Sequence, residues 1–409
     1  MTRRQFTIAL AASGTRAFAQ SPAKLPPVRA ITRGPKFHWF GYYDKLQFDP
    51  SNRYVLGMEG SFEHRLPTID DSVRLGMVDL QDGDRWTDLG VSRSWSWHQG
   101  CMLQWLPGSK DEVIYNDREQ GQFVSHILNV RTGRKRTLPM PVYAVSPDAR
   151  FAVVNDLRRS YHLRPETGYA GVPDPNRDVL APKDSGIWLM DLRTGKHDLI
   201  LSIADVAAIA PQEPYSEGAK HYFDHLLFAP DGKRFAFFQR WKGAAEGRSF
   251  RTRMFSANRD GSDVRVLDKY GKTSHYIWRD PKHILVWMYH PSHGDRYYMI
   301  EDPPGKVEAV APAVLTENGH ATYLPGKRWF VTDTYPDKER RQHVYLFDTR
   351  TERRVALGSF LSPPAYTGYW RCDTTPRISP DGTKVIVDSP HGGDGRQMYL
   401  IDIGGLTNV

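Results

Sequence analysis

A short unit recurs seven times along this chain: an aromatic or aliphatic residue, a turn rich in Pro, Asp and Gly, then a hydrophobic strand. It reads Phe48-Asp49-Pro50, Trp105-Leu106-Pro107-Gly108, Val145-Ser146-Pro147-Asp148, Phe228-Ala229-Pro230-Asp231-Gly232, Ile277-Trp278-Arg279-Asp280-Pro281, Tyr323-Leu324-Pro325-Gly326 and Ile378-Ser379-Pro380-Asp381-Gly382. Successive units lie 57, 40, 83, 49, 46 and 55 residues apart, and each turn has the chemistry that closes a hairpin between two strands. A second signal follows in every unit, a strand ending near Asp79, Asn129, Asp191, Asn258, Asp302, Asp348 or Asp402. Seven of each predict seven four-stranded blades. Amphipathic helical patterns are nearly absent, so the chain is expected to be all-β, a single seven-bladed β-propeller over residues 28–403. Radial repetition leaves such a fold only short, protected edges. The last unit ends at Ile403 without room for a fourth strand, so a segment near Val28 to Thr32 is expected to close blade seven. The alternative, a pair of unrelated β domains, sits poorly with the even repetition. Two insertions break the rhythm: residues 157–186, which extend blade three and contain Arg164-Pro165-Glu166-Thr167-Gly168-Tyr169, and residues 202–221. In repeat folds insertions map to loops, often on the binding face.

Composition narrows the function classes. No run approaches the roughly 20 apolar residues of a membrane-spanning helix, and two cysteines in 409 residues rule out a disulfide scaffold. The N-terminus reads Met1-Thr2-Arg3-Arg4-Gln5-Phe6, then a short apolar run and Ala17-Phe18-Ala19. An arginine pair, an apolar run and a small-x-small site make residues 1–19 a Tat-type signal peptide, with a plain basic N-terminus as the alternative. The expected location is therefore periplasmic or secreted. The net charge of +8 falls to +5 without Arg3, Arg4 and Arg16, since that segment holds no Asp or Glu. A mildly basic exported protein suits an acidic ligand. Nucleic acid is not expected as a partner, because no Lys/Arg run or recognition motif is present. The chain is expected to be a monomer.

In a propeller blade the start of the innermost strand and the end of the second strand share one face. The residues before the inner strands are Tyr42, Tyr43 and Asp44; His98 and Gln99; Tyr143; His221, Tyr222 and His225; His275; His320; and Cys372 with Asp373. The ends of the second strands add Glu59, Asn116, Arg158, Arg159, Arg240, Asp333, Tyr335 and Asp388. The opposite face offers mainly Ser, Pro, Asp and Gly, so one site at one channel mouth is expected. His275, His320 and Cys372 come from consecutive blades, and imidazole and thiolate suit zinc. The expected cofactor is thus a zinc ion, structural rather than catalytic; a Cys101–Cys372 disulfide is the competing explanation for the thiol. His98, Asn116, Tyr143, Arg159, His225 and Arg240 lie on the other side, with Tyr43 and Tyr222 as further substrate contacts. Such a mixture suits an acidic poly- or oligosaccharide, because Arg clamps carboxylates while Tyr and His move protons.

On these residues the chain resembles the seven-bladed propeller polysaccharide lyases, the ulvan lyases and, more distantly, oligogalacturonate lyase. The residues that carry the resemblance are His98 in Trp97-His98-Gln99-Gly100, Tyr143 in Val142-Tyr143-Ala144-Val145, Arg159 in Leu157-Arg158-Arg159, and His275, His320 and Cys372. The resemblance implies β-elimination from a uronate, with Tyr143 as base or acid, Arg159 as carboxylate clamp and a zinc held by His and Cys. Those lyases have a second catalytic His where this chain has Asn116-Asp117-Arg118, and His225 is the substitute within reach. Two other functions compete with a lyase. A glycoside hydrolase on an acidic glycan would draw its two carboxyl groups from Asp44, Glu59 and Asp333, and a non-catalytic exported propeller would bind a sugar or a protein.

Overall fold

In each repeat the middle strands are largely apolar runs buried on both faces, such as Phe151–Asn155 and Arg234–Lys242, and the turns carry Pro, Asp or Gly, so neighbouring strands pair antiparallel and curl into one blade. In the computed structural model, which describes residues 25–407 except 246 and 248, the strands form seven four-stranded antiparallel sheets in sequential order. The chain is a seven-bladed β-propeller. The export signal expected at residues 1–19 lies outside the described residues. Blade seven combines Arg377–Ile378, Lys384–Ser389 and Gln397–Asp402 with the N-terminal strand Val28–Ala30. Val28 pairs with Ile401 and Ala30 with Tyr399, so the two chain ends close the ring as expected. Between blades the inward-facing aromatics and aliphatics interlock; Trp39, Trp95 and Trp97 pack against one another at ring distances of 4.9–5.5 Å. Among the described residues no helix is long and apolar enough to cross a membrane.

The insertions are not merely loops. The first begins with the helix Leu157–Leu163 and the second with the helix Ile203–Ala208. Each starts at a side-chain oxygen that accepts orphan backbone N–H groups: Asp156 takes those of Arg158 and Arg159, and Ser202 that of Asp205.

The inner strands are short or interrupted, and this is what frees the site residues. Blades two, three, six and seven have only two paired residues there, such as Gln104–Trp105 and Thr322–Tyr323. Blades four and five bulge between Asp224 and Leu227 and between Thr273 and Tyr276. A bulge re-aims side chains and ends ladder pairing, so the polar residues preceding each inner strand turn toward the axis. Blade one must pass close to blade two for this: a Cβ on Gly41 (φ 117°) would lie 3.0 Å from the Gln99 carbonyl carbon, so only glycine fits.

Candidate active site

A cavity of about 490 Å³ opens at the axial mouth where the inner strands begin. Ten of the expected residues line it: Tyr42, His98, Gln99, Arg240, His275, His320, Tyr335, Cys372, Asp373 and Asp388. Five Lys and Arg side chains line it against three carboxylates, so the cavity is electropositive.

The cation wall is built around one buried carboxylate. The Asp224 Oδ2 accepts from Arg164 Nη1 at 2.9 Å and from Arg240 Nη1 at 2.5 Å. Both guanidiniums lie over the Phe250 ring, at 4.8 and 4.7 Å. Arg240 is 5% exposed, and among the described residues its Nε has no hydrogen-bond partner. From blade seven, Arg371 donates to Asp373 and stands 5.6 Å over the Tyr335 ring. His98 sits among these charges with its Nε2 buried and unpartnered. Burial, with Arg371, Arg164 and Arg396 adding to it, pushes its pKa well below the ordinary 6.5. Unsatisfied donors in an electropositive cavity are what an anionic ligand would complete.

Holding His98 neutral also links stability to pH. An unfolded histidine takes up a proton near pH 6.5, whereas folded His98 does so only at a lower pH. Its contribution is therefore intact above that value and lost as the pH falls toward the folded pKa. The melting temperature is expected to fall between roughly pH 7 and pH 5, and less steeply in His98→Gln. An unchanged pH slope in that variant would exclude His98 as a source.

Opposite the cations stands a carboxylate–imidazole pair. His320 Nδ1 meets Asp333 at 3.0 and 3.1 Å, leaving Nε2 as the ring nitrogen available to a substrate. Asp333 also accepts from the His320 and Thr375 backbone N–H groups and the Thr374 hydroxyl. Burial raises its pKa, but His320 and these hydrogen bonds outweigh burial and hold the carboxyl below its ordinary range. Thr375 occupies the left-handed region at φ 37°, a conformation costing about 1–3 kcal/mol for such a residue. Asp333 on its N–H and Arg377 on its carbonyl hold it there. Tyr335 lines the same cavity with its ring 6.0 Å from that of His320. Burial lifts its phenol to about 12, against the lowering influence of Arg371 and Arg164.

The remaining expected residues do not line this cavity. Arg159 is fully buried and holds the blade-three insertion in place. Its Nε donates to the His221 carbonyl at 2.5 Å, and its Nη atoms reach the Asn176, Val179 and Leu180 carbonyls and Asp174. The guanidinium that lines the cavity from this segment is that of Arg164, which caps the C-terminus of the same helix. Asn116 spends its amide on Val142 and the Tyr169 hydroxyl, tying blade two to blade three. Tyr222 is buried beside its strand partner Arg240. Tyr43, Tyr143 and His225 form an axial plug. Tyr43 donates to the Tyr276 carbonyl at 2.7 Å, Tyr143 accepts from Gln99 Nε2 at 2.9 Å, and His225 lies 3.6 Å from Asp44. Burial pushes the Tyr143 phenol well above 10, with Asp224 adding to it. Sequence reasoning placed His320, Asp333 and Tyr335 on this face without joining them into one group, and it passed over Arg164 and Arg371 as site residues. The charged Arg164-Pro165-Glu166 stretch in an insertion was the available signal.

The zinc set is not assembled. The rings of His275 and His320 come within 4.1 Å and Cys372 lines the same cavity. Yet among the described residues no three His, Cys, Asp or Glu side chains are placed to hold one metal ion. His275 Nδ1 contacts Ser274 and Asn318 and His320 Nδ1 contacts Asp333, while burial pushes the Cys372 thiol upward. These residues do not fit zinc as arranged. The disulfide is absent too: Cys101 and Cys372 are both free, and burial pushes Cys101 to about 12.

No family model and no curated protein matches the sequence. Solved structures match it across nearly its whole length. An oligogalacturonate lyase in complex with manganese is 15% identical, covering 93% of this chain and 94% of that one, with a TM-score of 0.65. The oligogalacturonate lyase of Vibrio parahaemolyticus is 12% identical over 94% and 95%, with a TM-score of 0.63. The propeller domain of the Trilobed protease from Pyrococcus furiosus is 9% identical over 90% and 94%, at 0.51. Identities this low establish the shared fold alone.

Proposed function

We propose that the axial cavity is the active site of a lyase that cleaves a uronate-containing oligo- or polysaccharide by β-elimination. The observation that carries this reading is the Asp333-oriented His320 lining the same cavity as Arg164, Arg240 and Arg371. The proton at C5 of a uronate lies beside a carboxylate, so removing it builds a second negative charge on the carboxyl oxygens. Fixed guanidinium donors stabilise that charge as it develops. His320 Nε2 takes the C5 proton, and Asp333 stabilises the imidazolium that forms. The C4–O bond breaks as the C4–C5 double bond forms, and Tyr335 delivers its proton to the departing oxygen. With its pKa lifted to about 12, Tyr335 holds that proton at neutral pH, while Arg371 and Arg164 favour the phenolate left behind.

These assignments differ from the ulvan-lyase pattern, in which Tyr143 and Arg159 would act. The oligogalacturonate lyases among the structural matches support an acidic oligosaccharide as the substrate class. A hydrolase is less well supported, because none of Asp44, Glu59 and Asp333 lines the cavity. Its lining carboxylates Glu166, Asp373 and Asp388 are engaged with Arg164, Arg371 and Arg377. An export signal at residues 1–19 would deliver the enzyme to the periplasm or beyond, where such glycans are met.

The test is near-ultraviolet absorbance during incubation with a panel of uronate polysaccharides and oligosaccharides. A rise on one of them, from the unsaturated uronate product, is the expected result. New reducing ends without that absorbance would replace the lyase by a hydrolase. Silence in both assays would leave a binding propeller.

A further inference from the structure

The blade-three insertion bounds a second cavity. Leu163 and Arg164 line the axial site, while Tyr161, His162 and Pro165 of the same segment line a neighbouring groove of about 630 Å³ together with Leu66, Arg158 and Arg177. The two spaces are bordered by adjacent stretches of chain on two sides. On one side the helix end continues from groove to cavity. On the other, the indole N–H of Trp97, an axial-cavity residue, donates to the Arg65 carbonyl at 2.6 Å, next to Leu66. Tyr161 spans the groove, its hydroxyl donating to the Pro67 carbonyl at 3.4 Å.

The groove is basic. Its one carboxylate, Asp174, is committed to Arg159, and both side chains are fully buried. Arg158 is held in a fork by Asp156. Arg177 is exposed, and among the described residues no ion pair involves it. Burial lowers the His162 pKa, and Arg177, Lys220 and Arg159 add to this against the raising influence of Asp174. Tyr161 remains partly exposed between these charges, and an aromatic face beside a cation is suited to a sugar ring bearing a carboxylate.

We infer that this groove is a second binding site for the anionic glycan that enters the axial cavity. It holds sugar residues beyond the reacting one, with Arg177 pairing with a carboxylate and Tyr161 lying against a pyranose face. The inference rests on the uronate reading of the axial site for the chemistry of its ligand. A chain long enough to cross the rim gains contacts that a short one cannot make.

The experiment compares Arg177→Ala and Arg177→Glu with the unaltered protein on a uronate trisaccharide and on polygalacturonate. Arg177 is exposed and outside the proposed catalytic machinery, so both variants are expected to fold. KM for the polymer should rise about fivefold or less in Arg177→Ala, the scale of an exposed ion pair, and further in Arg177→Glu. Turnover number and trisaccharide kinetics should stay unchanged. Equal shifts on both substrates, or none on either, would overturn the inference. Calorimetric titration with polygalacturonate separates this from the lyase reading, because it needs no turnover. Weaker polymer binding in Arg177→Glu supports the groove even where no elimination is seen, and equal binding overturns it even where elimination is fast.

Discussion

His320→Gln is expected to lower the rate of uronate elimination by about 10²–10⁴ while leaving substrate affinity nearly unchanged, the usual scale for losing a positioned general base. Glutamine keeps polar contact with the Asp333 carboxylate but cannot accept the C5 proton. Asp333→Asn should also slow turnover, because it removes the charge that orients His320 and stabilises its protonated form. It should destabilise the protein as well, since Asp333 accepts hydrogen bonds from Thr374 and Thr375 and so joins blade six to blade seven. Initial rates across substrate concentration, with melting temperatures for each variant, separate the two effects. Turnover within a few-fold of the parent in His320→Gln would remove His320 from the mechanism, and Tyr335 with it.

Arg159→Ala is expected to cost about 3–5 kcal/mol of stability, the range for breaking a buried ion pair on one side. The change leaves Asp174 as an uncompensated buried charge and strips donors from the carbonyls of His221, Asn176, Val179 and Leu180. Urea midpoints and melting temperatures measure the loss. Molecules that remain folded should turn over at a rate close to the parent, because Arg159 does not line the cavity. A carboxylate clamp behaves the opposite way: stability would be kept and catalytic efficiency would collapse. Arg164→Ala is the matching comparison, and the collapse is expected there.

Much of the architecture follows from local chemistry. Each turn rich in Pro, Asp or Gly favours a hairpin between the strands it joins, and largely apolar strands must be covered on both faces by neighbouring blades. Counting turns therefore predicts blades, and the missing last strand predicts closure by the segment at Val28. The repeat places His98, His275, His320 and Cys372, before inner strands, and Arg240, near the end of a second strand, at one mouth, and all five line the cavity there.

How deep each side chain lies is a different matter. Tyr42 lines the cavity while its neighbour Tyr43 is sealed in the axial plug, and His275 lines the cavity while Tyr276 does not. Elsewhere whole runs such as Trp97-His98-Gln99 and Arg371-Cys372-Asp373 line it, because the chain there is not in regular strand, and bulges near Asp224 and Thr273 reset which side chains reach the cavity. Arg159 and Arg164 are five residues apart, yet one is a buried strut and the other a cavity wall. The turn of helix between them is positioned by long-range contacts with Asp174 and Asp224. Blade number and ring closure are legible in the chain because turn preference acts between near neighbours. Which Arg, His and Tyr meet at the cavity is set by burial and charge pairing between residues that folding brings together from distant blades.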